Sequence, residues 1–328
     1  MSRALETEVA AALGSGSAEK SYQQISEVFL SPPSGGLLEL EILGKSHPFP
    51  PNSHVLQDGC AVGVSKLGLV QAFLVARKLL QGHVNGSSPK DDREVLGITA
   101  VMLLLDPEHL TAANTRKRLL LKRISSGGDA PELLGTEKYF VDSLLTSRLH
   151  RHTKSPTLFS HLQWLLRRFS DHGLAVDVLD DLKKVIFVAG ERHPRNYYAW
   201  NHARFLIRTF SVENEVILDA VKKWAFQHHT DVSGWTFLHV LLDRSASDPT
   251  VIRAAFDEIL KLVVSLHLTN ETVWVFLRTL TASGLVDEEE YSRFLDTGKN
   301  LLESSTAFTD QTVLRAALQW SETYRVKT

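Results

Sequence analysis

The sequence predicts an all-α chain, a solenoid of antiparallel helix hairpins, and three observations predict it. Five segments share a breaker, a short cap and then an aromatic or small residue opening an apolar helix. Anchored on Ala113, Phe159, Trp200, Trp235 and Trp274, they lie 46, 41, 35 and 39 residues apart. A helical hairpin with its two turns takes roughly 34–47 residues, so each interval holds one. The intervals also carry second apolar stripes at three- and four-residue steps. These are Val176, Leu179, Leu182, Val185 and Ile186; Ile217, Ala220, Val221 and Trp224; and Ile252, Phe256, Ile259, Leu260 and Val263. Strand signals are sparse after residue 55, where no Asn-Gly turn joins two alternating runs.

In chain order, residues 1–55 read as a separate, partly irregular leader and residues 56–328 as the hairpin-repeat domain. Helical patterns over Ala4–Leu13 and Ser21–Leu30 are split by Gly14-Ser15-Gly16-Ser17 and stopped by Ser31-Pro32-Pro33-Ser34-Gly35-Gly36. Leu37–Leu43 can form one extended segment, and Pro48, Pro50 and Pro51 mark a loop. From about Leu56 the texture turns helical; Val64–Leu80 is a first long helix, closed by the Gly82–Asp92 loop. The five punctuated segments follow. They are Leu105-Asp106-Pro107 with Ala113-Asn114-Thr115-Arg116, Lys154-Ser155-Pro156 with Phe159-Ser160-His161, and Pro194 with Trp200-Asn201-His202. Asp231-Val232-Ser233-Gly234-Trp235 and Asn270-Glu271-Thr272-Val273-Trp274 complete the series.

Composition removes several classes. With 43% hydrophobic and 23% charged residues the chain is neither disordered nor fibrous. A formal charge of −2 gives no global pull toward nucleic acid or anionic membrane. Arg116-Lys117-Arg118 and Lys122-Arg123 fall where a helix is expected to end, and cations there suit the helix dipole. Cys60 is the only cysteine, which excludes an internal disulfide and a multi-cysteine zinc site and suits a reducing, cytoplasmic location. Met1–Leu13 has no basic start followed by an apolar run, and Leu96–Leu105 is about half a membrane span, so neither a secretory signal nor a spanning helix is expected. The ending Arg325-Val326-Lys327-Thr328 carries no prenylation cysteine.

The chemistry-bearing motifs are few. Gly44-Lys45-Ser46 lacks a phosphate cradle, because Glu39 stands where the loop's first glycine is required. His228-His229 and His150-x-His152 have neither a cysteine partner nor an HExxH frame, so no metal is expected on this chain. No nucleophile elbow is present, and no self-contained active site emerges. The richest stretch is His193–Leu206. Pro194 ends the preceding helix, Asn196 can cap the next, and Tyr197, Trp200, Phe205 and Leu206 fall near one helical face. Trp200 reads as hairpin packing, whereas the Tyr197 hydroxyl wants a polar neighbour and can reach a partner face. His161 and His202 each stand two residues after an anchor, which suggests a structural hydrogen bond between repeats.

At Pro194, Asn196, Tyr197, Trp200 and His202 the chain resembles the protein prenyltransferase α-subunit repeat family, whose pattern is Pro-x-Asn-Tyr-x-x-Trp before a His/Arg-rich turn. Pro156, His161 and Trp164 match a second copy, with Phe159 in place of the tryptophan. Leu103-Leu104-Leu105-Asp106-Pro107 with Asn114 and Arg116 resembles the first repeat, and Asp231 to Trp235 resembles the Asp-x-Ser-Gly-aromatic repeat. The likeness runs over roughly residues 56–280. The family's arginine three residues after the anchor survives only at Arg116; Leu162, Ala203, Leu238 and Leu277 replace it, and Arg204 and Arg278 fall one residue later. These departures place the chain nearer the orphan repeat-containing branch than the dedicated farnesyl and Rab subunits.

The resemblance implies a right-handed α-α superhelix acting as the α-type subunit of a heterodimeric protein prenyltransferase, geranylgeranyl rather than farnesyl. The implied partners are a β subunit of the Rab geranylgeranyltransferase type and a cysteine-bearing acceptor protein. Zinc belongs to the β subunit, where it activates the acceptor thiol, and prenyl diphosphate is the co-substrate. The family's diphosphate-contacting lysine sits between the proline and asparagine of one repeat, a position that Arg195 holds here. Arg195 and Tyr197 are therefore the candidate catalytic contacts. Asn196, Trp200, Asn201, His202, Arg204, His161, Asn114, Arg116, Asp231, Trp235 and Trp274 are the repeat-motif or partner-binding set. The alternative is an α-solenoid adaptor that has lost prenyltransferase activity, which the missing arginines would favour.

Overall fold

The computed structural model describes residues 17–44 and 46–326. The expected Ala4–Leu13 helix, most of the Gly-Ser break after it, Lys45 and the last two residues lie outside them. The chain is an all-α array of helix hairpins carrying one small sheet. It divides into two compact units, one ending at His202 and the next beginning at Ala203.

The first unit opens with α1 (Ser17–Leu30), β1 (Glu39–Leu43), β2 (Val55–Asp58) and β3 (Ala61–Ser65). The sheet order is β1-β3-β2, with β1 parallel to β3 and β2 antiparallel to it. Leu37–Leu43 is thus extended over its last five residues, but the helical texture expected from Leu56 is a β2–β3 hairpin. The reason is period two: Val62 and Val64 are buried while Ala61, Gly63 and Ser65 face away. Gly59 turns the hairpin at φ 55°, a conformation open to glycine at little cost. The boundary expected at 55/56 falls inside β2. Elements on its two sides pack together, since α1 lies on α2 (Lys66–Val84) and α3 (Asp92–Leu105). The sheet is tied on by Arg148, whose N–H donates to the Leu40 carbonyl at 3.0 Å.

Capping chemistry sets where the next helices begin. Ser65 accepts the Gly68 N–H and starts α2, and Asp91 forms a capping box with Glu94 at the start of α3. Then come α4 (Leu110–Ser125), α5 (Ala130–Leu145) and α6 (Pro156–Asp171). Because α4 runs to Ser125, Arg116-Lys117-Arg118 lies mid-helix and not at the expected helix end; only Lys122 and Arg123 are in its last turn. A continuous helical stretch follows as α7 (Val178–Asp181), a π-helical segment (Leu182–Phe187) and α8 (Val188–Arg192), before α9 (Tyr197–Thr209). The apolar set Val178, Leu182, Val185, Ile186 and Ala189 is buried along it.

The second unit contains α10 (Asn214–Gln227), α11 (Val232–Arg244), α12 (Pro249–Leu266), α13 (Glu271–Ala282), α14 (Glu288–Ser304) and α15 (Phe308–Tyr324). Its helices stack in two rows, α10 on α12 on α14 and α11 on α13 on α15, as solenoid hairpins do. Gly298 permits close approach within this stack, since a Cβ there would lie 2.8 Å from Leu318 and 3.2 Å from Trp274. Each of the five anchors is the fourth residue of its helix, counting from Leu110, Pro156, Tyr197, Val232 and Glu271. All five are buried. A cap fixes the helix start, and the fourth residue then turns back over the first turn into the core. No helix among the described residues is long and apolar enough to cross a membrane.

Candidate partner-binding and diphosphate-contact site

The site is built on the loop between α8 and α9. Asn196 is buried at 1% exposure and does two jobs. Its Oδ1 accepts the Ala199 N–H at 3.1 Å, capping α9, while Nδ2 donates to the carbonyls of Thr153 at 2.5 Å and Ala189 at 3.3 Å. The same staple recurs. Ser155 caps α6 and donates to the Pro107 carbonyl at 3.3 Å, and Asn270, ahead of α13, donates to the His229 carbonyl at 2.6 Å. Each of the three side chains therefore fastens a hairpin to the loop of an earlier one, although Asn270, unlike Asn196 and Ser155, makes no side-chain cap bond to its own helix. Asn196→Ala should cost about 2 kcal/mol, a lost cap with the Thr153 carbonyl unbonded while the Ala189 carbonyl keeps the His193 N–H; Asn196→Asp should recover the cap alone. Urea denaturation midpoints of the full chain check this.

Around that staple the surface is basic and aromatic. Arg195 is exposed and holds φ 61°, left-handed for a side-chain-bearing residue, at an expense of about 1–2 kcal/mol. Tyr197 and Tyr198 are 68% and 38% exposed and meet edge to face with centroids 5.4 Å apart. His193 packs on His150 at 4.2 Å. Partial burial, then His150 and then Lys154, push the His193 ring below its ordinary pKa. Arg148 and Arg192 both lie near Glu39, at 3.7 and 3.8 Å. Asn201 is exposed on α9, and Trp200 is fully buried with Phe187 at 6.1 Å.

The remaining first-unit residues belong to buried polar chemistry. Arg116 is 5% exposed and forks onto Glu137 at 2.7 and 2.6 Å, with its third arm on the Leu96 carbonyl and Thr99 Oγ1. Its guanidinium also lies 3.7 Å over Phe140. His161 sits 3.3 Å from Glu137, and burial lowers its pKa to about 4. Burial, then the charge of Lys138, lowers His202 to about 3. Asn114 is exposed on α4. The sequence reading missed Lys138, which reaches Asp142 at 2.6 Å and Asp181 at 2.7 Å. One cation facing two buried carboxylates leaves a proton on the pair: burial raises the Asp142 carboxyl to about 7 despite Lys138, and Asp181 shifts the same way.

In the second unit, Asp231 caps α11 by accepting the Ser233 and Gly234 amides at 3.0 and 3.1 Å. Trp235 is buried against Phe276 at 5.0 Å, and Trp274 donates its indole N–H to the Leu268 carbonyl at 2.8 Å. Arg204 lies 5.6 Å over Phe237. Of the two histidine pairs, His228 stacks on Trp224 at 4.1 Å, and buried His152 is hydrogen-bonded with the Leu103 carbonyl at 2.9 Å.

These groups give a pH profile. His152 and His161, lowered to about 4, and His202, at about 3, bind fewer protons folded than unfolded. Stability should therefore rise with pH from about 4 to 6.5. Asp142 has the opposite sign, because its raised pKa makes the folded chain hold a proton that the unfolded chain releases, so stability falls as pH rises to about 7. Asp142→Asn should gain stability relative to the parent as pH is raised across that window, measured by denaturation at pH 4.5, 5.5 and 7.

An ECM9 middle domain family model matches residues 163–265. Protein prenyltransferase alpha subunit repeat-containing protein 1 of Danio rerio is 29% identical over 180 residues, covering 48% of this chain and 40% of that protein. The Homo sapiens protein of the same name is 28% identical over 187 residues, 50% of this chain and 43% of it. Protein ECM9 of Saccharomyces cerevisiae is 27% identical over 182 residues, 53% of this chain and 47% of it. This chain is a relative of the prenyltransferase α-subunit repeat-containing proteins. It spans less than half the length of the repeat-containing relatives named here.

Proposed function

We propose that this chain is the α-type subunit of a heterodimeric protein prenyltransferase that transfers geranylgeranyl, in the cytoplasm, to an acceptor cysteine. Its β partner is of the Rab geranylgeranyltransferase type, and that partner supplies the zinc. The observation that supports the reading is the exposed Arg195, Tyr197 and Tyr198 edge, held by the buried Asn196 staple in a likeness of the repeat family's motif. Arginine keeps a lysine's charge there and can grip two phosphate oxygens at once, so Arg195 contacts the departing diphosphate. Tyr197 and Tyr198 offer rigid aromatic area of the kind that carries binding energy at interfaces.

Coexpression with each candidate β subunit tests the pairing, and a stable one-to-one complex with the Rab-type subunit is expected. Mass spectrometry of the acceptor, with and without this chain, tests transfer. A stable pair that yields no prenylated acceptor would leave an adaptor, and a chain that retains no β subunit would end the subunit reading.

A further inference from the structure

We propose that a second site, a cleft between the end of α2 and the flanks of α3 and α4, binds the phosphate of a small ester or a lipid headgroup. The cleft holds about 300 Å³ and is lined by His83, Lys90, Asp92, Thr115, Arg118 and Lys122 among others. Arg118 and Lys122 stand one turn apart on α4, so they share a face. Arg118 is exposed and makes no ion pair or hydrogen bond among the described residues. Lys90 is joined to Glu94 at 3.1 Å and Lys122 to Asp92 at 3.3 Å, which leaves each ammonium further N–H donors. Among the groups that line the cleft three cations stand against one carboxylate, Asp92, with Asp91 and Glu94 outside the lining.

Neutral donors complete the set. The Lys90 N–H donates to His83 Nδ1 at 3.1 Å, which puts the neutral ring's proton on Nε2. Thr115 is 7% exposed, and its buried hydroxyl has no hydrogen-bond partner. Backbone polarity adds to the effect. The N-terminus of α3 at Asp92 borders the cleft, with its Glu94 N–H already held by Asp91, while the carbonyls near the end of α2 are taken. Asn85, Gly86 and Ser88 donate to Gln81, His83 and Gly82 at 3.0, 3.2 and 3.0 Å. Donors thus converge from several elements, which suits a tetrahedral dianion better than a flat carboxylate.

The test titrates the full chain calorimetrically with inorganic phosphate and with glycerol 3-phosphate, and floats it with vesicles containing phosphatidylinositol 4-phosphate or phosphatidylcholine alone. Saturable binding is expected, weakened at least about tenfold by Arg118→Gln with Lys122→Gln and partly restored when position 118 is Arg118→Lys. Both side chains are exposed, and circular dichroism confirms that the variants fold. Thr115→Val should weaken binding, and Arg315→Gln in the second unit should leave it unchanged. Binding of the soluble esters assigns the phosphate to a metabolite, and flotation alone assigns it to a headgroup. Neither, or binding indifferent to the Arg118/Lys122 substitutions, overturns the proposal.

Discussion

Arg116→Met should destabilise the chain by about 3–5 kcal/mol, the range for stripping one partner from a buried ion pair. The loss is large because Glu137 is 5% exposed and receives two arms of the guanidinium. Burial alone would raise the Glu137 carboxyl; Arg116, with lesser help from His161 and Lys117, holds it below the ordinary value. The folded parent therefore keeps this contribution above the unfolded carboxyl's pKa and loses it as pH falls. In the variant the carboxyl should take a proton, so the gap between parent and variant is widest at neutral pH and narrows toward pH 4. Arg116→Met with Glu137→Leu removes both charges and should recover most of the loss. Urea denaturation at pH 4.5 and 7 measures each; a single variant within about 1 kcal/mol of the parent at pH 7 would sink the account.

Trp274→Ala should cost a similar amount, about 3–5 kcal/mol, through the cavity left in the second unit's stack. The indole is fully buried between Phe294 at 5.7 Å and the gap that Gly298 leaves. A sharper comparison separates packing from hydrogen bonding. Trp274→Phe leaves the Leu268 carbonyl unbonded and should cost more than Trp235→Phe, whose indole N–H is buried without a partner. Equal losses at the two positions would show that ring volume alone decides.

Much of the array was legible because it rests on local chemistry. Proline, a capping side chain and a bulky residue four places into a helix are each readable one hairpin at a time, and all five anchors are buried in that fourth position. The apolar stripes from Ile217 and Ile252 lie on helices for the same reason, and the stripe from Val176 does so from Leu179 on, Val176 itself lying in the loop before α7. What escaped depended on distant partners. Val55–Asp58 reads as the opening of a helical texture until Ala61–Ser65 pairs with it, and Ala61–Ser65 is stabilised in turn by Glu39–Leu43. Glu137 and Lys138 look like ordinary surface charges in a helix; only the fold sets Arg116 beside the first and Asp181 beside the second. The basic run at Arg116 is mid-helix because α4 continues to Ser125 and stops only at Ser126-Gly127-Gly128, with Gly127 at φ 90°.

The Ser155, Asn196 and Asn270 fasteners all grip a peptide oxygen, at Pro107, Thr153 and His229. Every residue type carries that oxygen, so the gripped turn is free to change its side chains without loosening the joint. Only the gripping residue, and the count of residues that brings it to the oxygen, are constrained. A scaffold joined this way can diverge in sequence until successive hairpins no longer look alike while their spacing persists. It should tolerate a substitution in those turns far better than a one-residue insertion.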